Sequence, residues 1–206
     1  MKLYTFPKAP NALRVHVFLA EKGIDLPLEH VDALSKETRR QPFLSKNSLG
    51  EIPVLELDDG TLITESVAIC RYIEDTHPEP RLMGATPVEA ARIEMWNRRM
   101  EQQIMGPIGQ VGLHTAEFFA DKIEQMPAYA ESQLRLQERK WAWLDAELSD
   151  GRTYVCDDRF SIADITGIAA LHICDMFGSP IPDSLTHVKR WERAVRGRPT
   201  WDREAA

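Results

Sequence analysis

Two periodicities divide the chain. Over residues 1–80 the apolar positions come in short runs set off by turn signals, as in strands, and beyond them they recur at helical spacing. Lys2, Leu3, Tyr4 and Thr5 form a first short strand. Residues 11–22 then place Leu13, Val17 and Ala20 at helical spacing, closed by Gly23. A second strand is predicted over 26–31 and a third over 54–57, where Asp58, Asp59 and Gly60 turn the chain into a hairpin partner at 61–63. A helix over 65–76 ends before His77 and Pro78, and the irregular stretch 35–46 has room for one more. The order is βαβ, that stretch, then ββα. The βαβ unit demands parallel strands with a right-handed crossover, and the hairpin adds an antiparallel edge.

After a proline-rich linker (Pro78, Pro80, Pro87), Thr86, Pro87 and Glu89 take the N-cap, N1 and N3 places of a capping box. The long helix they open is expected to kink at Gly106 and Pro107, because the proline removes a donor and crowds the preceding turn. Residues 128–148 make a second long helix. Ser161 and Asp164 form another capping box, opening a mostly apolar helix through Cys174 that reads as the buried axis of an all-helical domain. A helix over 183–195 follows, and Arg198 and Pro199 restart a short last one. Two domains are expected, 1–79 and 86–206, with all five tryptophans in the second.

Composition narrows the function classes. The 206 residues are 43% hydrophobic and 28% charged, too apolar for a disordered chain. A net charge of −7 repels phosphate backbones, so nucleic acid is not an expected partner. No apolar run approaches the ~18 residues of a membrane span, and Pro7 interrupts the start before a signal-peptide core can form. These features predict a cytoplasmic protein without membrane partners. Cys70, Cys156 and Cys174 share no CxxC spacing and no nearby histidine pair, which argues against a metal cluster and a disulfide framework.

Two places can carry chemistry. Glu65 and Ser66 stand at the start of a helix, where free N–H groups and the helix dipole attract a carboxylate, a hydroxyl donates and a glutamate accepts from an ammonium. Side by side they suit the amino and carboxylate groups of an amino acid; alternatively Thr64 or Ser66 simply caps the helix. Ile52 and Pro53 stand at the mouth of a strand. A cis bond there turns the Ile52 main chain outward to pair with an extended peptide, whereas a trans proline simply starts the strand.

Residues 7–11 (PKAPN), 20–23 (AEKG), 47–55 (NSLGEIPVL), 64–69 (TESVAI) with Arg71 and Tyr72, and 160–164 (FSIAD) together resemble the cytosolic glutathione transferases. The resemblance spans nearly the whole chain, in order. It implies an α/β thioredoxin-like N-terminal domain of order βαβαββα, an all-α C-terminal domain carrying the electrophile site, and a homodimer. It implies an enzyme that conjugates glutathione, its co-substrate, to small hydrophobic electrophiles without a metal. Glu65 and Ser66 would hold the γ-glutamyl end, and Ile52 before a cis Pro53 would pair with the cysteinyl backbone.

The chain departs from the family where many members place a Ser, Tyr or Cys for the thiolate. Ala9 stands where the Ser-Pro type has its serine, Phe6 and Pro7 offer no hydroxyl, and Tyr4 and Thr5 read as structural strand residues. The run FPKAPNALRV resembles an atypical fungal and bacterial group that uses the first turn of the first helix instead. That makes the Asn11 and Ala12 amides the candidate donors, next to Lys8 and Ala9, although Asn11 reads equally well as an N-cap. Lowering a thiol pKa of ~8.5 by about two requires roughly 2.7 kcal/mol. A helix N-terminus contributes up to ~2 kcal/mol and a hydrogen bond to the charged sulfur ~1.5–3 kcal/mol, which together suffice. In that group a mid-helix histidine beside a serine holds an activating water, and His114 is similar in position, with Gly109 in the serine's place. Glu51 and Thr38 stand where members often carry Lys or Gln and His, so Lys8, Lys36, Arg39 and Arg40 are the cations left for the glycyl carboxylate. Ala9, Glu51 and Gly109 keep open a non-catalytic glutathione-binding or interaction protein of the same fold.

Overall fold

In the computed structural model, which describes residues 1–6 and 9–201, the chain divides into a unit Met1–Arg81 and a unit Leu82–Trp201. The first holds β1 (Lys2–Thr5), α1 (Pro10–Glu21), β2 (Leu28–His30), β3 (Val54–Glu56), β4 (Leu62–Ile63) and α2 (Ser66–Thr76). Its four-stranded sheet has the order β2-β1-β3-β4, with β1 parallel to β2 and antiparallel to β3, and β3 antiparallel to β4. This is the thioredoxin-like arrangement predicted above. The helix allowed within 35–46 is replaced by two 3₁₀ turns, Glu37–Arg39 and Phe43–Ser45. Pro42 lies between them, and its missing N–H and its crowding of the residue before it prevent one continuous helix.

One face of the sheet buries Tyr4, Val31, Phe43 and Val54 against Ile52 and Leu62. Beside it, α1 and α2 are joined at their C-terminal ends by a buried ion pair, Lys22 Nζ to Glu74 at 2.7 Å. The same ammonium donates to the carbonyls of His77 at 2.7 Å and Pro80 at 2.9 Å, satisfying main-chain acceptors past the end of α2.

The second unit is helical: α3 (Pro87–Arg99), a π-helical stretch Met100–Met105, α4 (Gly106–Thr115), α5 (Pro127–Glu147), α6 (Ile162–Met176) and α7 (Thr186–Arg196). The expected irregularity at Gly106 and Pro107 takes the form of that π stretch. Pro107 has no N–H to return, and the Gly106 N–H reaches back to the Glu101 carbonyl instead. The Ser161 and Asp164 capping box forms as predicted. It opens α6, which is buried along most of its length and packs so closely that a Cβ on Gly167 would lie 2.5 Å from the Trp191 ring. The short helix expected at Arg198 and Pro199 is only a turn, in which the Trp201 N–H bonds the Arg198 carbonyl at 3.1 Å. Among the described residues no helix is long and apolar enough to cross a membrane.

Candidate functional site

The start of α1 differs from the sequence expectation by one residue, with consequences for its free donors. Pro10 suits the first helical position, so the helix begins there and Ala9, with φ −87° and ψ 122°, is the N-cap. Asn11 is therefore not the cap. Ala9 has no side chain that can cap, Pro10 has no N–H, and the first ladder bond runs from Leu13 N–H to the Ala9 carbonyl at 3.0 Å. The Asn11 and Ala12 N–H groups consequently have no partner among the described residues. Lys8 lies outside the described residues.

The nearby hydroxyls are committed elsewhere. Tyr4 donates to Glu56 Oε2 at 2.7 Å, and its ring packs edge-on against Phe43 with Lys46 Nζ 4.5 Å from its centre. Thr5 is fully buried, with Oγ1 2.8 Å from His16 Nε2. Burial, and then the neighbouring charge of His30, push His16 below the ordinary imidazole value, so its ring is neutral at pH 7. Cys70 on α2 is fully buried and its thiol is pushed up to about 12 by that burial, which leaves it unreactive.

Across from α1, the backbone is strained where α2 begins. Glu65 has φ 66° and ψ 113°, outside the wells open to L residues, at a cost on the order of 1–3 kcal/mol. No side chain caps this helix, so the capping alternative for Thr64 and Ser66 does not hold. The strained turn leaves the Glu65 carboxylate exposed and sets Ser66, itself buried, at the first helical position. Ser66 Oγ accepts from Arg14 Nη1 at 2.7 Å.

The third wall is the loop before β3. The Ile52–Pro53 bond is cis, and the Ile52 N–H and C=O have no hydrogen-bond partner among the described residues. Asn47 shapes the loop, donating from Nδ2 to the Glu51 carbonyl at 2.7 Å and accepting the Leu49 N–H at 3.1 Å. Gly50 completes the turn with φ +63°, and a Cβ there would lie 2.8 Å from the Thr38 carbonyl oxygen. Gly50→Ala is accordingly expected to destabilise this unit by about 1–3 kcal/mol, the scale of a strained backbone position. Urea unfolding measures it, and an unchanged midpoint would contradict this account of the loop.

Asn11, Ile52, Pro53, Glu65 and Ser66 line one shallow, open cleft, joined by Asn47 and Glu51. Ala12 is buried behind it in the first turn of α1. Arg39, half-buried, belongs to the first 3₁₀ turn and Arg40, exposed, follows it; neither lines the cleft. Sequence reasoning missed Arg14 and Asn47. Arg14 had a signal, a cation at helical spacing with buried Phe18. His114 belongs to the second unit, at the end of α4, where Nδ1 accepts the Met126 N–H at 3.1 Å and the ring meets Tyr129 edge-on at 5.0 Å between centres. With Nδ1 accepting, Nε2 is the ring nitrogen left to donate.

Comparison with known proteins identifies the family. The N-terminal domain model of glutathione S-transferases matches residues 3–81 and the C-terminal domain model residues 107–199. Glutathione S-transferase 2 of Saccharomyces cerevisiae is 33% identical over 97% of this chain and 87% of its own length. The crystal structure of Gtt2 from Saccharomyces cerevisiae superposes with a TM-score of 0.91 at 32% identity, covering 99% of this chain and all of that one. A glutathione S-transferase domain-containing protein from Marinobacter aquaeolei gives the same TM-score at 35% identity, over 98% of this chain and 100% of its own. With both domain models matched in order and relatives of this identity aligned end to end, the chain is a transferase of the glutathione S-transferase family.

Proposed function

We propose that the cleft binds glutathione and that the enzyme conjugates its thiolate to hydrophobic electrophiles held by the helical unit. In this reading the Asn11 and Ala12 amides and the α1 dipole stabilise the thiolate, and no side-chain hydroxyl is needed. The observation that carries it is the pair of amides without a partner among the described residues, behind a non-capping Ala9 and beside hydroxyls of Tyr4 and Thr5 that already have partners. Glu65 accepts from the γ-glutamyl ammonium and Ser66 donates to its carboxylate. The Ile52 main chain, turned by Pro53, pairs with the cysteinyl backbone as an added strand. Arg39 and Arg40, which stand outside the cleft lining, and Lys8 contribute positive charge for the glycyl carboxylate through their field rather than by contact. His114, with Nδ1 already accepting, contributes at most a donor from Nε2 to a water.

Calorimetric titration with glutathione followed by chlorodinitrobenzene turnover tests the reading. Binding with turnover is expected, and binding without turnover would reduce the protein to a glutathione carrier. Ser66→Ala is expected to weaken glutathione by ~1.5–3 kcal/mol, the scale of a hydrogen bond to a charged group, without unfolding the unit. An unchanged dissociation constant would remove Ser66 from the site. We further propose that the protein works in the cytoplasm as a homodimer, the commonest closed assembly. Sedimentation at micromolar concentration is expected to exceed the monomer mass of 23.5 kDa about twofold; the monomer mass alone would refute the assembly.

A further inference from the structure

Arg14 is 1% exposed, yet a single nitrogen of its guanidinium joins two walls of the cleft. Nη1 donates to Asn11 Oδ1 at 3.2 Å, on α1, and to Ser66 Oγ at 2.7 Å, at the start of α2. A guanidinium only donates, so Ser66 must meet it with a lone pair. The hydroxyl proton of Ser66 is then directed elsewhere, and among the described residues it has no acceptor. The Ser66 main-chain N–H, in the first turn of α2, is likewise unspent. Ser66 therefore presents two donors with a buried cation directly behind the hydroxyl oxygen. Such a chain of donors polarises in one direction, strengthening the outward O–H and suiting it to an anion rather than to a neutral amide.

We infer that Arg14 is a positioning residue that fixes Ser66 as a donor and so makes this subsite select a free carboxylate. The inference rests on the reading of the cleft as a glutathione site and deepens it, because it says which part of the ligand is discriminated and through which residue. Arg14 touches no ligand in this scheme. Its effect should therefore be far larger with ligands that carry the carboxylate.

The test pairs two ligands with three proteins. Glutathione and γ-aminobutanoyl-cysteinylglycine, which is glutathione without its free α-carboxylate, are titrated by calorimetry into wild type, Arg14→Met and Arg14→Lys. Wild type is expected to prefer glutathione by about tenfold or more, the factor of one charged hydrogen bond. Arg14→Met should lose most of that preference, weakening glutathione far more than the decarboxylated ligand. Arg14→Lys, a point charge that cannot reproduce the planar fork, should lose part of it, and it carries the test if Arg14→Met fails to fold. Equal weakening of both ligands would make Arg14 merely structural and overturn the inference. So would a full preference retained in the variants, which would leave the glutathione reading standing. No preference in wild type would overturn both.

Discussion

Asp164→Ala is expected to destabilise the helical unit by about 3–5 kcal/mol, because it strips the acceptor from several buried donors at once. Asp164 is fully buried; its Oδ1 accepts the Val155 N–H at 3.0 Å and the Trp191 Nε1–H at 2.9 Å, and its Oδ2 accepts the Ser161 N–H at 3.1 Å. These bonds tie the start of α6 to the preceding loop and to α7. Each orphaned donor costs about 1–3 kcal/mol, against a total stability of about 5–15 kcal/mol. Urea unfolding followed by tryptophan fluorescence reads the loss, and a change below about 1 kcal/mol would mean that the donors find other partners. Burial pushes the Asp164 carboxyl up to about 6, against the hydrogen bonds that favour its charge. In the unfolded chain it titrates near ~3.9, so between these values the folded state holds more protons. Stability contributed by this group thus falls as pH rises from about 4 to about 6. Asp164→Asn should flatten that slope.

The second large effect concerns a single atom. Replacing the Ala12 peptide nitrogen by an ester oxygen removes one N–H and leaves every side chain in place. If that N–H bonds the thiolate, its loss costs ~1.5–3 kcal/mol. The acid constant of the bound thiol should then fall about ten- to a hundredfold, which at neutral pH lowers the thiolate fraction roughly four- to fortyfold, and turnover with it. Glutathione affinity at low pH, where the thiol is protonated in either protein, should change far less. Unaltered turnover in the ester protein would show that the sulfur is ionised elsewhere.

What the sequence reveals follows from how local each interaction is. Ser161 and Asp164 stand three residues apart and cap one helix, so the box can be read directly and forms. Glu65 with Ser66, and Ile52 with Pro53, are adjacent pairs whose chemistry is visible in the string, and they converge on one cleft. Arg14 and Ser66 are 52 positions apart, and no local pattern announces that their side chains meet. The strain at Glu65 is equally silent, since its φ of 66° arises from the turn between β4 and α2 rather than from a turn-forming residue. Around Asn11 proline geometry decides between the two readings left open. Asparagine favours the cap, yet Pro10 starts the helix one residue earlier.

Whether the first amides of α1 or a hydroxyl ionise the thiol is decided by the pKa of bound glutathione, read from thiolate ultraviolet absorbance against pH. A value lowered by about two from ~8.5 is expected in wild type, and essentially the same value in Thr5→Val and Tyr4→Phe, whose hydroxyls already serve His16 and Glu56. An unshifted value in wild type, or a shift abolished by either substitution, would contradict the role of the amides.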